Sequence, residues 1–373
     1  MTLSSSRGEL VRLFLKLGFS GFGGPLVHIA LMETEAVERR RWLSRQEFLD
    51  GLALCQMLPG PASTQLGVYL SYLRGGLAGA LLGGCAFVLP GFLIMLAFSI
   101  LYGYTGGVPR VQGIFAGIGP AVIAVIGLSA WKLAQGAVGS WPLGGLAALG
   151  FLLTAFLRWD TALVLIVCGL LWVAVRRSRE RFRLMVSLLP AVALAAPEVY
   201  ARLGWLFLKM GALVYGGGYV IIPVVRREAV ERYGWLSDRA FLDGLALGQL
   251  VPGPIVNLSA FVGHRAGGLV GAVVAAAAVF LPAFAIVLAA IPVMNRLKGS
   301  PVMTAFLQGV NAAVVGAIVA ATLPLARGAI VGPLMNPWLS GAIALAAFLL
   351  LWRFRVDTLW LILGAGAVGL LLA

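Results

Sequence analysis

Charge is what this sequence has least of. Asp, Glu, Lys and Arg make up 11% of its 373 residues, while 61% are hydrophobic. An ordinary soluble domain carries roughly 25% charged residues. A chain so poor in charge cannot cover a water-facing surface, so much of its surface must face lipid. Histidine and cysteine are scarce as well, two and three respectively. Cys55, Cys85 and Cys168 lie inside apolar runs at no metal-ligand spacing and read as small core residues. Neither a His/Cys cluster, nor a nucleophile elbow, nor a phosphate-binding loop with lysine occurs. The expectation is therefore no enzyme, no metal and no cofactor. The N-terminal stretch MTLSSSRGELVRLFLKLG lacks an apolar core followed by a small-residue cleavage site and reads as mature protein.

What the chain does have is long apolar runs. Leu77–Tyr102, Val111–Trp131, Leu269–Pro292 and Val302–Leu325 each reach the ~20 residues that a helix needs to cross the hydrocarbon core. They do not alternate apolar and polar residues as a barrel strand would, so the spans are helical. The frequent glycines (49) and prolines (18) then signal close helix packing and helix breaks rather than disorder. The net charge is +14. The arginines fall in short loops between apolar spans, which points to anionic lipid and topology control and away from nucleic acid. Attraction of an anionic substrate is the other use of such a field.

The strongest internal signal is a duplication. At an offset of 193, residues 14–61 align with 207–254, and 27 of the 48 positions are identical. The matches include EAVER (Glu35–Arg39 with Glu228–Arg232), WLS (Trp42–Ser44 with Trp235–Ser237), FLDGLAL (Phe48–Leu54 with Phe241–Leu247) and Pro59-Gly60-Pro61 with Pro252-Gly253-Pro254. One residue then drops out, and at offset 192 Gly75-Gly76-Leu77 pairs with Gly267-Gly268-Leu269 and Leu89-Pro90 with Leu281-Pro282. The expected organisation is a first half over 1–180, a linker over 181–202 and a second half over 203–373, with the basic run Arg176–Arg183 straddling the start of the linker.

Each half reads as a first helix (9–31; 203–225) with a glycine cluster, two short helices broken by Pro-Gly-Pro (45–57 and 62–73; 238–250 and 255–265), and four further spans. Helices of ~12 residues rise only ~18 Å, about half a bilayer, so each broken pair predicts a re-entrant hairpin. The expected fold is an all-α polytopic membrane protein of about 10 transmembrane helices plus two broken re-entrant hairpins. Five spans per half would place the two pseudo-symmetric repeats in opposite orientations, as in many secondary transporters. The arginine-rich loops do not decide this, because a crossing by residues 184–200 would make the halves parallel.

Chemistry concentrates at the breaks. A helix that starts after a break exposes free N–H groups and a positive dipole end, which suits an anion. The candidate binding residues are Gly60, Ala62, Ser63 and Thr64 in the first half and Gly253, Ile255 and Asn257 in the second, with Gln56 and Gln249 standing just before the breaks. A plain kink is the competing reading. Gly23, Gly24, Gly216 and Gly217 add glycine clusters that permit either close approach to a ligand or close helix packing. Pro59, Pro61, Pro252 and Pro254 shape the breaks. The matched lysines Lys16 and Lys209 are expected to snorkel to the interface. The matched carboxylates Asp50 and Asp243 are expected to brace the hairpins against Arg39 or Arg232, with proton coupling as the alternative. His28 and His264 have no histidine at their repeat positions and read as structural, against a proton-coupling role.

The runs FLKLGFSGFGGP, EAVERRRWLSRQEFLDGLALCQMLPGP and FVLPGF, with FLDGLALGQLVPGP and VFLPAF in the second half, resemble the chromate ion transporter family over nearly the whole chain. The resemblance implies efflux of chromate across the bacterial inner membrane, sulfate as a related oxyanion, inverted five-span halves and dimeric assembly. One departure is Gly218 where the first half has Pro25, so the two breaks need not be equivalent. An anion channel and a non-transporting membrane scaffold remain the alternatives. Lipid and a chromate- or sulfate-like oxyanion are the expected partners.

Overall fold

A computed structural model describes residues 7–21, 25–157, 159–176, 198–213, 218–219, 221–293, 301–331, 335–354 and 356–372. Among them there is no strand. The first half contains α1 (Arg7–Ser20), α2 (Pro25–Glu33) continued by a π-helical segment (Thr34–Arg39), α3 (Arg45–Met57), α4 (Ala62–Thr105), α5 (Pro109–Ala137), α6 (Trp141–Ala155) and α7 (Thr161–Arg176). The second contains α8 (Glu198–Leu213), α9 (Ile221–Val225) with its π-helical segment (Arg226–Arg232), α10 (Asp238–Leu250), a 3-10 turn (Ile255–Asn257), α11 (Leu258–Ala290), α12 (Pro301–Ile330), α13 (Pro337–Arg353) and α14 (Thr358–Leu372). Four helical segments are long and apolar enough to cross a membrane: Ala62–Thr105, Pro109–Ala137, Ile255–Ala290 and Thr304–Ile330. The helices α6, α7, α13 and α14 are apolar and shorter. The class is thus a polytopic helical membrane protein. The expected linker lies mostly outside the described residues, as does most of the segment 184–200, and α8 begins inside it at Glu198.

The first helix of each half is not one span. In the first half α1 ends at Ser20, and α2, starting at Pro25, runs back alongside it. Lys16 Nζ meets Glu35 Oε1 at 3.1 Å and Arg40 Nη1 meets Glu9 Oε1 at 2.6 Å, a pairing that sets α1 antiparallel to α2 and its π-helical extension. In the second half the Arg202 guanidinium lies 5.1 Å from the Tyr233 ring centre, which closes the matching hairpin. The Pro-Gly-Pro pairs double back too: a Cβ on Gly51 would meet the Tyr69 ring and one on Gly244 the Phe261 ring. Each half therefore carries two helical hairpins. Their arms start with real caps. The Ser44 hydroxyl accepts the Glu47 N–H while Glu47 accepts the Ser44 N–H, and the Ser237 hydroxyl accepts the Ala240 N–H.

The long helices bend sharply after their hairpin arm. Gly76 (φ +59°) and Gly268 (φ +63°) take left-handed backbone there, at the Gly-Gly pair that the repeat aligns. Beyond the bend, residues 77–105 of α4 form a rod of about 44 Å, and what touches it along its length orders the whole molecule. Gly79 and Gly83 face Ser71 at the base of the first half's own hairpin. Gly18 of α1 packs on the Phe87 carbonyl and Pro90. At Gly91 the contacts change to Pro252 and Asn257, the tip of the second half's hairpin. Ser99 Oγ then meets His264 Nδ1 at 2.9 Å, and the Tyr102 hydroxyl donates to Asp243 Oδ2 at 2.7 Å, deep on that hairpin's arms. The two sets of hairpins therefore enter from opposite ends of the bundle and meet tip to tip near its middle. With the first helix folded back on itself, counting spans would no longer yield this arrangement; the contacts do.

The halves are also interleaved. Helices α6 and α7 pack on α12 of the other half, with Gly150 against Ala313 and the Trp172 indole donating to Gln308 at 3.1 Å. Helices α13 and α14 pack on α5 in the same manner, with Gly117 and Gly369 in backbone contact. Glycines at these crossings let backbones approach where a side chain would hold them apart.

Candidate functional site at the two Pro-Gly-Pro breaks

Each break is built by backbone that only this tripeptide adopts easily. Gly60 (φ +130°) and Gly253 (φ +122°) lie in a region closed to side chains. The flanking Pro61 and Pro254 are extended and give the following helix no side-chain cap. The amides of Ala62, Ser63 and Thr64 are the first of that helix and have no carbonyl one turn back to bond, whereas the Gln65 N–H reaches the Pro61 carbonyl at 3.0 Å. Ser63 and Thr64 are fully buried, and neither hydroxyl has a protein partner. The Asn257 Oδ1 of the second half is unpartnered as well. A buried polar group left so costs about 1–3 kcal/mol; a bound anion could accept from the two hydroxyls, and a water could donate to the Asn257 oxygen.

Gln65, in the same first turn, also takes part in the break. Its amide Nε2 donates to the Pro59 carbonyl at 2.7 Å, and Asn257 Nδ2 does the same to Pro252 at 3.5 Å. Asn257 is thus the counterpart of Gln65, not of Thr64. The signal was present in the sequence, since offset 192, which holds after the lost residue, pairs 65 with 257.

The tips interlock across the halves. The Gly253 N–H donates to the Gly21 carbonyl at 3.3 Å. Ala283 lies 3.5 Å from where a Cβ on Gly60 would sit, and its repeat counterpart Gly91 abuts the second tip. Beside this junction His28 is fully buried, its ring 4.9 Å from that of Phe87, and both ring nitrogens lack partners. Gly23, Gly24, Gly216 and Gly217 lie outside the described residues.

The two breaks differ in their surroundings. A cavity of about 760 Å³ borders the second one. Gln249, Gly253 and Ile255 line it, together with Val27, Tyr219 and one face of α5. Ser63, Thr64 and Gln56 are not part of its wall. Gln249 is half-buried, whereas Gln56 is exposed.

The charged residues act elsewhere than expected. Lys16 does not merely snorkel; it bonds Glu35, which also takes Arg39 (2.9 Å) and Arg40 (3.4 Å). Lys209 rests over the Trp205 ring at 5.8 Å. Arg39 and Arg232 do not pair with Asp50 and Asp243. Each binds the glutamate one turn earlier, Glu35 and Glu228, because a partner on the same helical segment requires less chain ordering than one on the next helix. Asp50 accepts a bond from Gln46 at 3.1 Å. Asp243 is buried and bonded by Tyr102 of the opposite half, with Arg239 at 4.0 Å. Among the described residues no group of His, Cys, Asp and Glu could hold a metal.

A family model described as "Chromate transporter" matches the chain twice, over residues 8–173 and 201–370. The "Chromate transport protein" of Cupriavidus metallidurans is 35% identical over 374 residues, covering 97% of this chain and 92% of that protein. Its counterpart in Pseudomonas aeruginosa is 36% identical, covering 97% and 91%. A "Probable chromate transport protein" of Synechococcus elongatus is 35% identical, covering 86% and 84%. No solved structure matches the chain significantly.

Proposed function

Since the chain belongs to the chromate transporter family, we propose that it carries chromate, and tetrahedral oxyanions of sulfate's type, outward across the bacterial inner membrane. The relatives are named as transport proteins, and transport rather than catalysis suits a site made of amides and hydroxyls. The observation that carries this reading is the pair of buried, uncapped helix starts at mid-depth. Backbone N–H groups and helix dipoles aimed inward can replace the hydration shell of a dianion without placing a fixed positive charge in the membrane core. Inverted, interleaved halves with hairpins entering from both ends support alternating access around that mid-depth site, one set of hairpins rocking against the other.

The test is chromate uptake by liposomes carrying the full chain, with Ser63→Ala, Thr64→Ala and Asn257→Ala. Removing a donor that the oxyanion uses should raise the half-saturating concentration by roughly 5- to 10-fold in at least one variant. Wild-type affinity and rate in all three would remove the breaks from the site. Flux that rises linearly with chromate would instead indicate a channel, and absence of flux a scaffold.

A further inference from the structure

We propose that the oxyanion is selected on the side of the second break only, by a cradle in which Lys132 supplies a positive charge and Tyr219, Gln135 and Gln249 supply neutral donors. This deepens the transport reading above and rests on it.

The cradle is the polar wall of the 760 Å³ cavity. Val125, Leu128, Ser129, Lys132 and Gln135 of α5 all line it, at spacings that place them on one stripe of the helix. The stripe is apolar at its first two positions and polar from Ser129 onward. Tyr219 of the second half, Ser129 of α5 and Gln249 near the end of α10 share this wall. The Ser129 hydroxyl is spent on its own helix, donating to the Val125 carbonyl at 2.8 Å. Lys132 makes no ion pair among the described residues. The one carboxylate in the wall, Asp357, is engaged in accepting the Leu359 N–H at 2.8 Å at the start of α14, a role that Asp160 repeats at α7 with the Leu163 N–H at 3.2 Å.

The duplication supplies an internal control. At offset 192, Ser129 aligns with Ala321, Lys132 with Pro324 and Gln135 with Arg327; at offset 193, Tyr219 aligns with Leu26. The frame of the two breaks is duplicated, but the lysine and the tyrosine were not kept in both. Around the first break, Ser63, Thr64 and Gln65 are packed away completely. One copy retains the frame, and the other carries the side chains that tell a dianion from chloride.

The experiment uses the full chain in liposomes of phosphatidylethanolamine and phosphatidylglycerol. It reads the chromate concentration at half-maximal uptake and the thermal shift produced by chromate, sulfate or chloride. Lys132→Gln should raise the half-saturating concentration about 10-fold or more, Tyr219→Phe about 3-fold, and Lys132→Arg less than 3-fold. Arg327→Gln removes the same unit of net charge at the counterpart of Gln135, one turn beyond that of Lys132, and should remain at the wild-type value. Lys132 is exposed, so loss of folding does not mask its effect. Wild-type saturation in Lys132→Gln overturns the proposal, as does an equal loss in Arg327→Gln, which would mean bulk attraction only. If the wild-type protein moves no chromate, the transport reading fails, and sulfate-dependent thermal stabilisation decides the cradle by itself: stabilisation that survives Lys132→Gln overturns it.

Discussion

At the scale of single residues, the bundle's centre is set by what cannot carry a side chain. Gly91 is held against the Pro252 carbonyl and the Asn257 amide, both parts of the second tip. Gly91→Ala should therefore cost about 1–3 kcal/mol through overpacking and lower the unfolding temperature in detergent. Gly127 on α5 has nothing within reach of a Cβ, and Gly127→Ala should leave that temperature unchanged or raise it slightly. Equal effects of the two would mean that the tip does not press on α4. The candidate residues Ser63, Thr64 and Asn257 were legible in the sequence because they follow a recognisable break. Tyr219, Ser129 and Lys132 were not, because nothing local marks a tyrosine beside a glycine cluster, or a polar turn late in a spanning helix, as neighbours. They come together in one cavity wall although Ser129 and Tyr219 are 90 positions apart in the chain.

At the scale of elements, the hairpins are braced at their bases and not along their arms. Glu35 sits among Lys16, Arg39 and Arg40, outside the spanning helices. Burial pushes its carboxyl up, but the bonds and charges of Lys16 and Arg39 outweigh this and hold it below the ordinary glutamate range. A folded-state value below the unfolded one means stability that is present at neutral pH and lost as pH falls through the folded value. Acidification below the ordinary glutamate range should loosen the first hairpin, and Glu35→Gln should abolish that pH dependence. The variant's cost at neutral pH should be only about 1 kcal/mol, since Lys16 and Arg39 are largely solvent-exposed. Across the halves, Tyr102→Phe leaves the buried Asp243 without its hydroxyl donor and should destabilise by about 1–3 kcal/mol, read as a lower unfolding temperature. The repeat's identities fall largely in these hairpins, in EAVER, WLS and FLDGLAL. Caps, braces and turns tolerate few alternatives, whereas a lipid-facing span asks little more than apolarity. That is why the hairpins could be read from the sequence and the packing of the spans could not.

At the scale of the whole molecule, opposed entry of the hairpins is the property with the widest consequence. Gln46 lies near the base of the first Pro-Gly-Pro hairpin and Arg239 near the base of the second. In cysteine-free protein, Gln46→Cys and Arg239→Cys should react with an impermeant thiol reagent from opposite faces of the membrane. Labelling from the same face would contradict the inverted arrangement. Interleaving adds a second consequence. Because α6 and α7 pack on α12, and α13 and α14 on α5, the last two spans of each half lack their main partner within that half, and each half expressed alone should fail to give a complete protease-resistant core.

The opening scarcity of charge determined the class, and the duplicated motifs determined where the chain breaks. These are local matters: an apolar run of sufficient length must be a helix in lipid, and Pro-Gly-Pro interrupts one wherever it falls. Tertiary structure decided that the first helix of each half also folds back, that the hairpins approach from opposite ends, and that only the second break borders the lysine-lined cavity. Those outcomes depend on contacts between segments far apart in the chain. Two copies of one motif can carry nearly the same local instructions and still receive different neighbours.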